Sequence, residues 1–131
     1  KKSKNSKKES SSESVVIGGG SGSAGGSSIA SFASQFVGNP YVYGGTSLTN
    51  GADCSGFVMS VYANFGIGLP HSSSAMISLA DAQPGDIICY SGHVAIYVGG
   101  NTIVHASTAS TGIKFTSPVN YKNVLAVRRI F

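Results

Sequence analysis

The chain has 131 residues, a formal net charge of +4 and two cysteines. Five Lys and two Glu fall within residues 1–13, whereas beyond them Lys114, Lys122, Arg128 and Arg129 face Asp53, Asp81 and Asp86, a surplus of one. So balanced a domain has no basic stripe for a polyanion, which excludes nucleic acid as its partner; nor does any stretch approach the about 20 apolar residues of a transmembrane helix.

Residues 1–27 contain almost no large apolar side chains and cannot bury enough surface to offset the entropy of ordering them. They are expected to form a flexible Lys-rich and Gly/Ser-rich linker whose Lys run lingers near anionic polymers or lipid headgroups. A chain that opens in a linker without Met is expected to be the C-terminal piece of a longer polypeptide, with its targeting signal upstream. Residues 28–131, rich in Val, Ile, Tyr and Phe, are expected to close one core as a single domain.

Ser27 or Ser28 is placed to cap a first helix, since Ile29, Phe32, Ala33, Phe36 and Val37 recur at helical spacing and Gly38 stops it before Asn39-Pro40. Tyr41 to Ala52 is predicted as turn-rich loop. A second helix is predicted to begin near Cys54 and end at Gly66, with Phe57, Val58, Val61, Tyr62 and Phe65 on its apolar face. After Leu69-Pro70 and a Ser-rich loop, with His71 expected on an exposed rim, the pattern changes to strands over residues 86–90, 93–98, 102–106, 113–115 and 124–131. Helices first and an antiparallel sheet afterwards is an α+β layout.

A thiol attacks only as thiolate, and a helix N-terminus with an imidazole beside it lowers its pKa. Cys54 has the helix start; the alternative is a small buried hydrophobe on a core helix. Cys89 sits in the apolar run Ile87-Ile88-Cys89-Tyr90 and reads as a buried strand residue rather than a disulfide partner. If Val98 pairs with Thr102 across the three-residue loop Gly99-Gly100-Asn101, His93 and His105 share one face of the sheet. His93 then suits a base, and His105 the group that orients it. One Cys and two His could also ligate zinc, but no tight C-x-x-C or H-x-x-x-H element accompanies them. Tyr43 is either a cleft hydroxyl that donates to an oxyanion or a core tyrosine. Asp53 is a helix cap or a partner for a substrate ammonium group, and Ser55 a first-turn residue or a substrate hydrogen-bond partner.

Asn39-Pro40-Tyr41-Val42-Tyr43-Gly44-Gly45, Asp53-Cys54-Ser55-Gly56-Phe57-Val58, Leu69-Pro70, Pro84-Gly85-Asp86, His93 within Gly92 to Val98, and Val104-His105-Ala106, in this order, resemble the NlpC/P60 family of cell-wall peptidases. The resemblance runs from about Ile29 to the end. It implies a papain-like α+β fold, with N-terminal helices packed on an antiparallel β-sheet. It also implies Cys54, His93 and His105 as catalytic triad with Tyr43 beside them, Asp53 and Ser55 on a substrate amino group and backbone, and neither metal nor organic cofactor. The substrate it implies is the peptidoglycan stem peptide, cut between the side-chain carboxyl of D-glutamate and the following diamino acid, meso-diaminopimelate or lysine. A secreted or cell-surface bacterial monomer is expected, with a second wall-hydrolase domain upstream. Two features depart from the family: His71 stands where Arg is usual, and the stretch from Leu69 to Pro84 is short. Two rival readings are an amidase of the same papain-like type, cutting between muramic acid and L-alanine, and a non-catalytic wall-binding module.

Overall fold

The structure is a computed structural model that describes residues 22–69 and 75–131. Helix α1 spans Gly22–Ser34, the short strands β1 and β2 span Thr46–Ser47 and Gly51–Ala52, and helix α2 spans Cys54–Ala63. Strand β3 (Ala75–Ile77) and a 3-10 turn (Leu79–Asp81) lead into β4 (Ile87–Tyr90), β5 (His93–Gly99), β6 (Thr102–Thr108), β7 (Gly112–Thr116) and β8 (Val124–Arg129). The larger sheet is antiparallel, in the order β3-β8-β4-β5-β6-β7. The α+β layout is as expected.

Alternation along the strands gives the sheet two buried faces. Ile96, Val104, Ala106 and Ile113 pack with Ile29 and Ala33 of α1 and Phe57, Val61 and Tyr62 of α2. Ile88, Tyr90, Ala95, Ile103 and Val127 form a second cluster, closed by Val119 from the segment before β8. That segment is tied down from two sides: Tyr90 donates its hydroxyl to the Val119 carbonyl at 2.6 Å, and Val119 N–H donates to Asn101 Oδ1 at 3.3 Å.

Three expectations change in the structure. Helix α1 begins at Gly22, so Ser27 and Ser28 lie inside it rather than at its cap. Gly26 belongs there for a packing reason, because a Cβ would overlap the Pro84 carbonyl oxygen and the Phe131 ring. The loop expected over Thr46 to Ala52 contains a small ladder, Thr46↔Ala52 and Ser47↔Gly51, and the Ser-rich stretch is followed by edge strand β3 pairing with β8. His71 and residues 1–21 lie outside the described residues.

Asp86 of the Pro-Gly-Asp motif is fully buried and receives Arg129 Nε and Nη2, each at 2.8 Å, and Gln83 N–H at 2.8 Å. Tyr62 donates its hydroxyl to the neighbouring Gly85 carbonyl. This network bolts α2 and β8 to the start of β4, and each carboxylate oxygen has a donor.

Candidate active site

Helix α2 starts where it does because of Asp53. Its backbone is extended, and its Oδ1 accepts the Gly56 N–H at 2.8 Å, satisfying a first-turn donor that has no intrahelical partner. Oδ2 accepts the Gly44 N–H at 2.9 Å, and Asp53 N–H donates to the Gly45 carbonyl at 3.1 Å. One carboxylate thus clamps the glycine loop against the helix start. Gly56 must be glycine, since a Cβ would overlap the Gly45 carbonyl oxygen. Asp53 is therefore a cap first, and Ser55 is exposed on the same turn with its hydroxyl 3.4 Å from Oδ1. Cys54, half-buried and with a free thiol, is the first helical residue.

The two histidines arrive from the β5–β6 hairpin. The turn is Gly100-Asn101 alone, with φ of 61° and 62°, the mirror-image geometry that suits a two-residue hairpin. A two-residue turn by itself would put His93 and His105 on opposite faces. The ladder prevents that with one extra residue: Tyr97 pairs with Ile103 but Gly99 with Thr102, leaving Val98 as a bulge. The expected three-residue loop is therefore replaced by a shorter turn plus a bulge, and the parity survives.

His93 Nε2 lies 2.6 Å from His105 Nδ1, and His105 Nε2 lies 2.8 Å from Thr116 Oγ1. Nδ1 of His93 has no protein partner among the described residues. With that nitrogen left to accept a proton, neutral His93 carries its hydrogen on Nε2 and donates to His105, which in turn donates from Nε2 to the Thr116 hydroxyl. His105 is 1% exposed; burial first, then the His93 charge and Lys114 and Lys122, pull its pKa down to about 4. It is neutral at working pH and accepts. Burial, followed by the Lys122 charge, lowers His93 as well.

Two tyrosines lie near Cys54, and one of them, Tyr121, also reaches this chain. Tyr41 is held beside Ala52 by a backbone bridge, just ahead of Asp53 and Cys54, and its phenol is pushed up by burial and then by the Cys54 and Asp53 charges. Tyr121 packs its ring 5.8 Å from His105 and 5.4 Å from Tyr90, and its phenol is raised by burial and then by Cys54. Among the described residues Cys54 makes no hydrogen bond to either imidazole.

The structure thus brings His93 and His105 into direct contact and sets Asp53, Cys54 and Ser55 on one helical turn. Tyr43 is 90% exposed, so it is not a core tyrosine, whereas Tyr41, two residues earlier, is half-buried against the core with its phenol within reach of the Cys54 and Asp53 charges. Sequence reasoning also missed Thr116 and Tyr121. Thr116 was within reach: in the β6–β7 register it faces Ile103, diagonal to His105, but the predicted strand stopped one residue short. Tyr121 lies in an irregular segment with no periodic signal.

Comparison with known proteins agrees with this architecture. The model of the NlpC/P60 family matches residues 38–129, and the chain belongs to that family. A Mycobacterium tuberculosis protein named a probable endopeptidase is 38% identical over 97 residues, 67% of this chain and 25% of its own length. A Haemophilus influenzae protein named a probable endopeptidase and NlpC homolog is 33% identical over 99 residues, covering 69% of this chain and 53% of itself. The chain therefore spans about a quarter to a half of these curated relatives. The NlpC/p60 domain of the peptidoglycan hydrolase SagA superposes with a TM-score of 0.71 at 31% identity, over 80% of this chain and 98% of that domain.

Proposed function

We propose that this domain is a cell-surface cysteine endopeptidase that hydrolyses peptidoglycan stem peptides at the bond between the D-glutamate side-chain carboxyl and the diamino acid. The observation that carries the reading is the chain His93, His105, Thr116, which among the described residues leaves one imidazole nitrogen open in a domain whose helix-start thiol is Cys54. The family relatives named as endopeptidases and peptidoglycan hydrolase supply the substrate class.

In this mechanism the Cys54 thiol gives its proton to Nδ1 of His93, and the thiolate attacks the scissile carbonyl carbon. The resulting oxyanion meets N–H groups at the α2 start and the Tyr41 hydroxyl. Collapse of the tetrahedral intermediate breaks the C–N bond, the amine leaves with the proton from His93, and a thioester remains on Cys54. Water, deprotonated by His93, then attacks the thioester and releases the carboxylate, returning the thiol to Cys54. Throughout, His105 accepts from His93 Nε2–H and holds its ring. Asp53 and Ser55 flank the acyl side, where a substrate amino group meets a carboxylate that remains partly exposed.

Purified peptidoglycan incubated with the protein, followed by mass spectrometry, tests the reading. Fragments ending in L-alanyl-γ-D-glutamate are expected. Release of intact stem peptides beginning with L-alanine would instead establish the amidase, and an unchanged wall that retains the protein a binding module.

A further inference from the structure

Two lysines flank the imidazole pair. Lys114 stands directly opposite His105 in the β6–β7 ladder, so its side chain leaves the sheet on the same face. Lys122 follows Tyr121, whose ring packs on His105, in the segment that Tyr90 and Asn101 anchor through Val119. Both lysines are exposed, and neither has a carboxylate partner among the described residues: Asp86 is taken by Arg129, Asp53 by Gly44 and Gly56, and Asp81 by Ser78.

The chemistry fixes which part of a substrate meets them. His93 must hand its proton to the departing amine, so the residue that contributes that amine lies over the imidazoles, while the acyl residues lie toward the α2 start. The cationic rim is therefore on the leaving-group side. A lysine leaving residue ends in an ammonium group and gains nothing there, whereas meso-diaminopimelate brings an extra side-chain carboxylate.

We propose that Lys114 and Lys122 select a leaving residue with a free side-chain carboxylate, so that the domain prefers stem peptides containing unamidated meso-diaminopimelate over the amidated form and over lysine. This rests on the endopeptidase reading above. The lysine charges reach the site, since Lys122 lowers both histidine pKa values and Lys114 lowers that of His105. A bound carboxylate offsets those charges and raises the basicity of His93 as substrate arrives.

The test uses three synthetic tripeptides, L-alanyl-γ-D-glutamyl-X, where X is meso-diaminopimelate, its side-chain amide, or L-lysine. They compete in one tube and products are identified by mass. Competition gives ratios of kcat/KM that do not depend on how much enzyme is folded, so an unstable variant still reports. Two solvent-exposed ion pairs are expected to give the acid about fivefold over the amide, a preference that shrinks in high salt. In the double variant Lys114→Gln with Lys122→Gln the ratio is expected to fall toward one. Cleavage at the glutamyl bond with no discrimination between acid and amide, or a preference that survives the double substitution, overturns the lysine assignment and leaves the endopeptidase reading standing. If no peptide is cut at that bond, both readings fall.

Discussion

Two buried polar networks in this small domain are built alike and end differently. Around Asp86, Arg129 and the Gln83 N–H fill the carboxylate, so the group is locked. Around His105, Thr116 and His93 fill both ring nitrogens, but the chain runs on to His93 Nδ1, for which the described residues offer no partner. A closed network holds the fold together; one that ends in an unfilled nitrogen can still accept a proton. Both use residues far apart in sequence, so burial alone does not separate the two, whereas saturation of their donors and acceptors does.

The largest effect is expected from removing the two ends of the proposed reactive pair. Cys54→Ala and His93→Ala are each expected to lose about a thousandfold or more in turnover on a stem peptide, and the double variant barely more, because the residues act as a unit. Near wild-type turnover in either single variant would remove the open end from the chemistry. Thermal unfolding of the same variants should move little.

Asp86→Ala should reverse the pattern. It leaves a guanidinium partly buried without its partner, for which a loss of about 3–5 kcal/mol is expected in denaturant unfolding, with activity per folded molecule retained. If Asp86→Ala unfolds like wild type, the closed network is not what secures β4 to β8.

The third prediction concerns pH. The folded pKa of His105 is depressed to about 4, below the ordinary 6.5 it regains on unfolding. The unfolded chain therefore takes up this proton first as pH falls, so the associated stability, on the order of 3 kcal/mol, is present above pH 6.5 and is lost between there and about pH 4. Unfolding free energy measured across that window should fall less steeply in His105→Asn. That variant should also keep measurable activity, because an amide can still accept from His93 Nε2–H, whereas His105→Ala should lose most of it. Equal loss in both would mean that the imidazole does more than orient.

Smaller effects separate the two thiols and locate the domain edge. Iodoacetamide near neutral pH should label Cys54 before Cys89, whose thiol is pushed up by burial in β4, and labelling should abolish hydrolysis. Deleting residues 1–21 is expected to change thermal stability little, whereas deletion through residue 27 removes the part of α1 that packs on Pro84 and Phe131 and should lower it by several degrees.

Much of this was legible in the chain. Period-two apolar runs placed the five longer strands, helical spacing placed α2, and Asp53 before Cys54 marked its start, because these signals are local. The failures have local causes too. Gly25 and Gly26 looked like linker because composition cannot distinguish a flexible glycine from one required by a close approach. Tyr41 and Tyr43 look alike in an aromatic-glycine loop; only the bridge to Ala52 decides which one turns inward. The His93–His105 pairing was expected for the right parity by the wrong route, since a bulge leaves no mark in the sequence.

The Val98 bulge also constrains how this hairpin can change in evolution. Because facing alternates residue by residue, one position inserted into or deleted from the paired part of either strand turns one imidazole away from the other, whatever its chemical character. The bulge and the turn are the places that absorb such a change: loss of Val98 itself leaves Tyr97 opposite Ile103 and both imidazoles on one face, and so does an added turn residue. Related chains should therefore differ in length here at the bulge or the turn, and a single-residue gap elsewhere between the two positions would mark a protein whose imidazole pair has been pulled apart.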